Sequence, residues 1–403
     1  MTKNSYKKNI LVIATTFPRW HNDSTPSFVY ELSERLGKSY NISVLAPHHY
    51  GAKKNEKMGS VQVKRFAYFW PERLQRLCYG AGIIPNMKSS MLAFFQFPLL
   101  IFSEFVNSWK IIRREKIDLI HAHWMLPQGI IGAVLKKIFG KPLMVTIHGS
   151  DLFPLKNLFF RKLQEFTVKN ADIVTINSPA AKKELLDRFS IYEEKIFLIP
   201  MGINTKLFRN KNRKNNGKAK KILFVGRLND QKGLDYLIIA MRKISKKEPN
   251  ARLLIIGEGE YKSYLHQLAG NEEVSDRVEF MGAKPHNELV HYYQSCDILV
   301  LPSLSNKTGT ESLGLVLIEG MACGLPVVGT RVGGIPSIIN NRENGILVEQ
   351  KNSDELADAI NFLLDHPKES KRMGINASNF ARNNFSWDKV SGQFNELYSE
   401  LLR

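Results

Sequence analysis

Two carboxylates, Glu311 and Glu319, stand eight positions apart in the stretch Gly309-Thr310-Glu311-Ser312-Leu313-Gly314-Leu315-Val316-Leu317-Ile318-Glu319. A glycine turn precedes the apolar run, so a helix is predicted to begin near Gly314. Glu319 would then face a cleft from the second turn, with Glu311 in the loop ahead. The first turn of a helix has amides without intrahelical acceptors, and such amides attract phosphate. An acid on each side of an anion site suits a ligand with hydroxyls at both ends and a diphosphate between them. A nucleotide sugar has that layout. Upstream, Phe224-Val225-Gly226-Arg227-Leu228-Asn229-Asp230-Gln231-Lys232-Gly233 runs an apolar strand into a glycine turn with two cations five residues apart. At a strand end, Arg227 and Lys232 would neutralise a diphosphate leaving group as charge builds on it. Solvated surface cations are the plainer reading of the pair, and the stretch lacks the Gly-Lys-Ser/Thr ending of a Walker loop. The two acids further along favour the first reading.

His148 follows the apolar run Leu143–Ile147 and precedes Gly149, which puts it at a strand end. His121 and His123 lie along another strand end; their alternation is taken to turn them to opposite faces and to make a poor metal pair. No Asp-x-Asp occurs in the chain, so a metal-bridged diphosphate has no evident ligands, and neither a metal nor a cofactor is implied.

The elements that must position these residues alternate. Candidate strands are Ile10–Thr15, Ile42–Ala46, Val61–Phe66, Leu119–His123, Leu143–Ile147, Ile173–Ile176 and Phe197–Ile199, then Ile222–Val225, Leu253–Ile256, Val278–Met281, Ile298–Leu301, Val327–Gly329 and Ile346–Val348. Several are nearly continuous apolar runs, as parallel strands covered on both faces require. Segments such as Leu234–Ile244 and Asp354–Leu364 carry apolar residues at helical spacing. The pattern predicts an α/β protein of two doubly wound, Rossmann-like domains facing across a cleft. The expected boundaries are 1–205 for an N-terminal acceptor-side domain, 206–220 for a linker, and 221–385 for a C-terminal nucleotide-sugar domain. The run Arg209, Lys211, Arg213, Lys214, Lys218, Lys220 and Lys221 has Asn and Gly interleaved, and reads as a solvated linker. The segment from Ser386 to the end opens with an N-cap serine and is amphipathic.

At 403 residues and 43% apolar content the chain is globular, and too long for one ordinary core. Its net charge of +19 implies a polyanionic partner. Nucleic acid is disfavoured, because no basic stripe carries interleaved aromatics for base stacking. Three widely spaced cysteines, Cys78, Cys296 and Cys323, form no zinc or disulfide pattern and suit a reducing compartment. The short apolar run Ile10–Ala14 reads as a strand and not as a signal peptide, so a cytoplasmic location is expected. The greasy segment Met91–Trp109 is interrupted by Gln96, Pro98 and Glu104. It reads first as buried helical turns. The next reading is a surface that docks on an anionic membrane, the inner face of the plasma membrane, or holds a lipid-linked acceptor. A membrane span is the least favoured.

With these residues in view, the chain resembles the retaining glycosyltransferases of family four, which have the GT-B architecture. The likeness is carried by Gly226-Arg227 with Lys232-Gly233, by Glu311 and Glu319 in Glu-x7-Glu spacing, and by Met321-Ala322-Cys323-Gly324-Leu325-Pro326 and Val332-Gly333-Gly334-Ile335-Pro336. Earlier, His121-Ala122-His123, Thr146-Ile147-His148-Gly149 and Pro200-Met201-Gly202-Ile203-Asn204 are similar to the family's landmarks. The resemblance implies that Gly226, Arg227, Lys232, Leu313, Gly314 and Leu315 bind the donor diphosphate region, and that Glu319 holds the ribose hydroxyls. It further implies that Glu311 approaches the donor sugar, that His148 hydrogen-bonds it, and that the last helix crosses back to the first domain. It implies transfer from a UDP- or GDP-sugar to a glycan or lipid-linked acceptor with retention. One departure stands out. The loop after the first strand, Phe17 to Phe28, lacks the paired glycines of many relatives, leaving Arg19, Ser27 and the amides at Phe28 as substitutes. Two other readings remain open: a nucleotide-sugar isomerase or epimerase of the same architecture, which would need acid/base groups at the sugar ring, and a basic nucleic-acid-binding protein.

Overall fold

The computed structural model describes residues 7–21, 23, 25–80, 82–155, 157–210, 219–306 and 309–403. Lys211, Arg213, Lys214 and Lys218 of the expected linker lie outside the described residues. The chain divides into two compact units.

The first unit is built on an eight-stranded sheet in the order β3-β4-β2-β1-β5-β6-β7-β8. Its strands are β1 (Asn9–Ile13), β2 (Asn41–Pro47), β3 (Asn55–Met58), β4 (Val61–Phe66), β5 (Leu119–His123), β6 (Leu143–Ile147), β7 (Ile173–Ile176) and β8 (Ile196–Leu198). Helices α1 (Phe28–Leu36), α2 (Ile83–Ser89), α3 (Met91–Glu115), α4 (Ile130–Phe139), α5 (Leu158–Asn170) and α6 (Pro179–Arg188) connect them. All pairings are parallel except β3 with β4. β3, Asn-Glu-Lys-Met, was absent from the sequence reading because only Met58 of its four residues is buried, so an edge strand leaves no apolar pattern. The central strands β5 and β6 are buried at every position, as their continuous apolar runs require.

The second unit has six parallel strands in the order β11-β10-β9-β12-β13-β14. These are β9 (Lys220–Val225), β10 (Ala251–Ile256), β11 (Val278–Phe280), β12 (Ile298–Leu301), β13 (Val327–Thr330) and β14 (Ile346–Val348). Its helices are α7 (Leu234–Lys247), α8 (Lys262–Asn271), α9 (Leu289–Ser295), α10 (Leu315–Ala322), α11 (Ser353–Asp365) and α12 (Pro367–Phe385), followed by α13 (Trp387–Leu401). Counted within the unit, the strand order is 3-2-1-4-5-6, that of the dinucleotide-binding Rossmann sheet. Both units are Rossmann-like α/β bodies.

Unit boundaries fall earlier than the composition suggests. Residues 200–205 belong with the second unit. There the Ile203 amide donates to the Phe385 carbonyl at 2.7 Å, and the backbone at Ile203 pairs with Ser386. Ser386 is extended and separates α12 from α13. From Val390 onward the chain is part of the first unit. Val390, Phe394, Leu397 and Tyr398 recur at helical spacing and are buried, with the Tyr398 ring edge-on to Tyr40 at 5.3 Å. The Tyr398 hydroxyl hydrogen-bonds His121 Nδ1 at 2.7 Å.

The segment read first as buried turns is instead part of one 25-residue helix, α3, with Pro98 inside it. Only Ala93, Gln96, Leu100, Glu104, Ser108, Ile111 and Ile112 are buried, at intervals of three and four. The Phe-rich face points outward, because the chain places its polar Gln96, Glu104 and Ser108 on the inner side.

Replacing Tyr398 with Phe removes the hydroxyl from the fully buried His121 and leaves Nδ1 without it. The Tyr398→Phe variant should be destabilised by about 1–3 kcal/mol, read as a lowered denaturation midpoint; an unchanged midpoint would show that the last helix does not depend on this bond.

Candidate active site

In the second unit the strand order reverses between β9 and β12, and open α/β sheets receive ligands beyond the carboxyl ends of the strands at such a point. The loop leaving β9 carries Gly226, Arg227 and Lys232, and the loop leaving β12 carries Ser303, Glu311, Leu313 and Gly314. The two loops meet. Lys232 Nζ donates to Glu311 Oε2 at 2.5 Å, and the Ser303 hydroxyl donates to the same oxygen at 3.1 Å. Burial works to raise the Glu311 pKa. The Lys232 ammonium, the hydrogen bonds from Lys232 and Ser303, and the Gly314 amide outweigh it and hold the carboxyl below its ordinary range. Arg227 stands exposed at the same strand end.

Local backbone chemistry makes this meeting feasible. Gly233, directly after Lys232, has φ +59°, and a Cβ there would lie 2.1 Å from the Pro302 carbonyl oxygen. Only glycine lets the β9 loop close on the end of β12. Behind Glu311, Gly333 has φ +55°, and a Cβ would come within 1.8 Å of the Glu311 carbonyl oxygen. The Gly334 amide donates to that oxygen at 2.9 Å. Gly333 and Gly334 are thus a backbone support for the acid. Gly314 precedes α10 as its cap with φ +89°, and the first-turn amides of that helix open next to Glu311.

Glu319 differs from its expected place. It is 3% exposed, with Oε1 2.7 Å from His286 Nε2 and Oε2 accepting from the Tyr293 hydroxyl at 2.9 Å. The reason is α10 itself, whose residues Leu317 to Ala322 are all buried, so no face of that turn looks into open space. The His286 side chain, 48% exposed, is the open member of the group. Burial and the Glu319 charge push the Tyr293 phenol far above its usual range.

In the first unit the order reverses between β1 and β5. His148, after β6, has Nε2 3.0 Å from His123 Nδ1, with the two rings stacked at 5.2 Å. His121 and His123 share a face, their ring centroids 4.3 Å apart. Residues two apart on a strand point the same way, so the expectation of opposite faces is overturned. His121 Nε2 is also bonded to Thr146 Oγ1 at 2.6 Å. Burial drives the His148 pKa down to about 3. Burial and the neighbouring His148 take His121 to about 3, and burial with both neighbours takes His123 well below its ordinary value. All three rings are neutral near pH 7. The turn that carries His148 is held by Asp151, which accepts from the amides of Met125 (2.6 Å), Gly149 (3.0 Å) and His148 (3.2 Å). Burial raises Asp151 to about 6 against the pull of those amides.

The β1 loop reaches this group through Phe28, whose ring lies 4.9 Å from that of His148. Arg19 is engaged with Asp23, Nη2 to Oδ1 at 2.6 Å and Nε to Oδ2 at 2.9 Å, and its guanidinium lies over Trp20. Ser27 is the residue preceding α1 and makes no side-chain capping bond. Among the described residues, no group of three or more His, Cys, Asp or Glu is gathered as a metal ligand set.

Residues 26–207 match the profile described as Glycosyltransferase Family 4, and residues 205–380 match Glycosyl transferases group 1. An uncharacterized glycosyltransferase of Methanocaldococcus jannaschii is 33% identical over 304 residues, covering 74% of this chain and 81% of that protein. The chain belongs to glycosyltransferase family 4. Among solved structures, this glycosyltransferase is similar to sucrose-phosphate synthase from Thermosynechococcus elongatus, with TM-score 0.81, 24% identity, and coverage of 98% of this chain and 99% of that one. It is also similar to Anabaena HepE solved in complex with UDP-glucose, with TM-score 0.74, 20% identity, and coverage of 97% and 99%. These neighbours establish the GT-B fold.

Four residues that organise these groups in the two units of this glycosyltransferase escaped sequence reasoning: Ser303, His286 and Tyr293 in the second unit and Asp151 in the first. Asp151, in His148-Gly149-Ser150-Asp151, carries a local signal, since aspartate in a glycine turn commonly binds nearby amides. His286 and Tyr293 lie 33 and 26 positions from Glu319 and have no local signal; only the packing of α9 and the preceding loop brings them in.

The three neutral histidines carry a sign. Their folded pKa values lie below the ordinary 6.5, so as pH falls the unfolded chain takes up protons that the folded chain refuses, and stability is lost. Asp151, raised, works in the opposite direction, so the informative quantity is a difference. Between about pH 7.5 and about pH 5, the wild-type thermal midpoint should fall more steeply than that of His123→Gln; parallel slopes would contradict burial of a neutral His123.

Proposed function

We propose that this glycosyltransferase moves a hexose-type sugar from a nucleotide-diphosphate donor, a UDP- or GDP-sugar, to a glycan or lipid-linked saccharide in cell-surface polysaccharide or glycoconjugate synthesis. Transfer retains the anomeric configuration and uses no metal. The observation that carries the reading is the Lys232–Glu311–Ser303 cluster at the β9/β12 reversal, beside the first-turn amides of α10. A cation held against an acid, with helix amides beside it, is a counter-charge system for a diphosphate flanked by a polar sugar. The UDP-glucose bound by the Anabaena neighbour supports a nucleotide-sugar donor.

In this reading Arg227 and Lys232 take the diphosphate charge, and Gly226, Gly314 and Leu315 bring backbone close to it, with Leu313 packed beneath. Glu319 accepts the ribose hydroxyls once the half-open His286 yields. Glu311 meets the donor sugar; in the first unit the neutral His148 is a hydrogen-bonding group that adds no charge. The C1–O bond to the diphosphate breaks, and the electron pair leaves with the nucleotide. The acceptor oxygen bonds to C1 on the same face and passes its proton to a leaving phosphate oxygen. Three buried cysteines, none of them in a disulfide, suit a reducing cytoplasm, where we place the protein.

Incubation with a panel of UDP- and GDP-sugars in chelator, with nucleotide release and product anomers followed by NMR, tests the proposal. Inverted product, or activity that returns only with magnesium, would contradict it. Lys232→Ala and Arg227→Ala should each lower turnover about 10²-fold, whereas Glu319→Ala should weaken nucleotide affinity about 10-fold; near-normal turnover or unchanged affinity in calorimetry would remove the corresponding role.

A further inference from the structure

One face of α3 serves neither the core of the first unit nor the site. Met91, Phe94, Phe95 and Phe102 are 73%, 52%, 63% and 68% exposed, and Leu99 is exposed between them. Spaced three and four apart, they form a single stripe along the helix. The stripe continues into a groove lined by Phe105, Val106 and Trp109 together with Lys110, Arg113 and Arg114. Charge around it is one-sided. From Glu72 to Glu115 the chain carries six cations (Arg73, Arg76, Lys88, Lys110, Arg113 and Arg114), all exposed, against three acids: Glu104 is fully buried, and the part-buried Glu72 and Glu115 at the two ends are paired with Lys54 and Lys64. Arg73 and Arg76 are held beside the helix, because Gln96 donates to the Leu74 carbonyl at 2.7 Å and accepts from the Arg76 amide at 3.2 Å.

We infer that this face docks in the interfacial plane of an anionic lipid bilayer, with the phenylalanines in the acyl boundary and the six cations among the headgroups. An apolar stripe bordered by exposed cations, with its neighbouring acids buried or paired with lysines, is complementary to such a surface. A second copy of the chain is a poorer occupant, since pairing two such faces would bring like charges together. Spanning is also excluded by the inner face. Among the described residues α3 is the helix long and apolar enough to cross a membrane, yet Gln96 is tied to Leu74, and Glu104 accepts from Gln128 Nε2 at 3.1 Å and 3.2 Å within the unit. The helix lies on the membrane with its polar side still packed on the protein. The inference deepens the lipid-linked part of the proposed function, and its test is independent of transfer.

Full-length protein is sedimented with vesicles of phosphatidylcholine alone and of phosphatidylcholine mixed with phosphatidylglycerol. Binding to the mixed vesicles should exceed that to neutral ones by about 10-fold at low salt and decline as sodium chloride is raised. Phe94→Ser/Phe95→Ser/Phe102→Ser should lower it about 10-fold, and Arg113→Ser/Arg114→Ser should lower it and flatten the salt dependence, while the thermal shift given by UDP or GDP stays that of the wild type. Equal binding to both vesicle types, triple-variant binding equal to wild type, self-association through this face without vesicle binding, or retention through an alkaline carbonate wash would each overturn the inference. Should the triple variant not fold, the wild-type lipid and salt dependence and the arginine variant decide. A wild type that binds vesicles but shows no nucleotide shift would count against the donor reading alone.

Discussion

An enclosed carboxylate beside a strand end must be neutralised, and in this protein a lysine from another loop neutralises it. Glu311 sits in a loop, yet its charge is balanced by Lys232 from a different loop and by Ser303 from its own. That pairing joins the two strand ends flanking the sheet reversal and fixes a cation at the point where such sheets receive ligands. Much nearby structure serves it. Gly233 permits the approach on one side, and Gly333 with Gly334 supports the Glu311 backbone on the other. In the proposed function, a diphosphate beside Lys232 would find a cation already oriented, so little reorganisation would be required at the moment charge moves.

The same principle, burial with defined partners, governs the other polar groups. Glu319 is enclosed because α10 is buried almost all round, and it is tolerated there because Tyr293 and His286 occupy both oxygens. In the first unit, burial keeps three histidines neutral, and they become hydrogen-bonding groups without charge. Asp151 fixes the backbone at His148 through three amides, which leaves the imidazole oriented by the turn and by His123. The β1 loop, lacking glycines, ends at Phe28, whose aromatic ring lies against His148. That loop's cation, Arg19, is committed to Asp23, so its charge serves loop structure.

Helix α3 shows how polarity can run against expectation. A segment rich in phenylalanine would ordinarily be assigned to the core, yet Gln96, Glu104 and Ser108 take the inward positions, and the aromatic rings are left outside. The inner polar groups find partners in the domain, and an exposed apolar stripe of this length requires some apolar counterpart.

By itself the sequence determined the alternation of strands and helices, the doubly wound class, the helix beginning at Gly314 and the candidates Arg227, Lys232 and Glu311. Those features follow from periodicity and from glycine turns, which act over a few neighbouring positions. Tertiary structure decided what depends on distant partners. It paired Lys232 with Glu311 across 79 positions and Tyr398 with His121 across 277, enclosed Glu319 with His286 and Tyr293, and turned the phenylalanines of α3 outward. It also revealed β3, whose polar residues form a strand only because β4 offers an unpaired edge. Burial and pairing belong to the folded surroundings of a residue, and no local pattern encodes them.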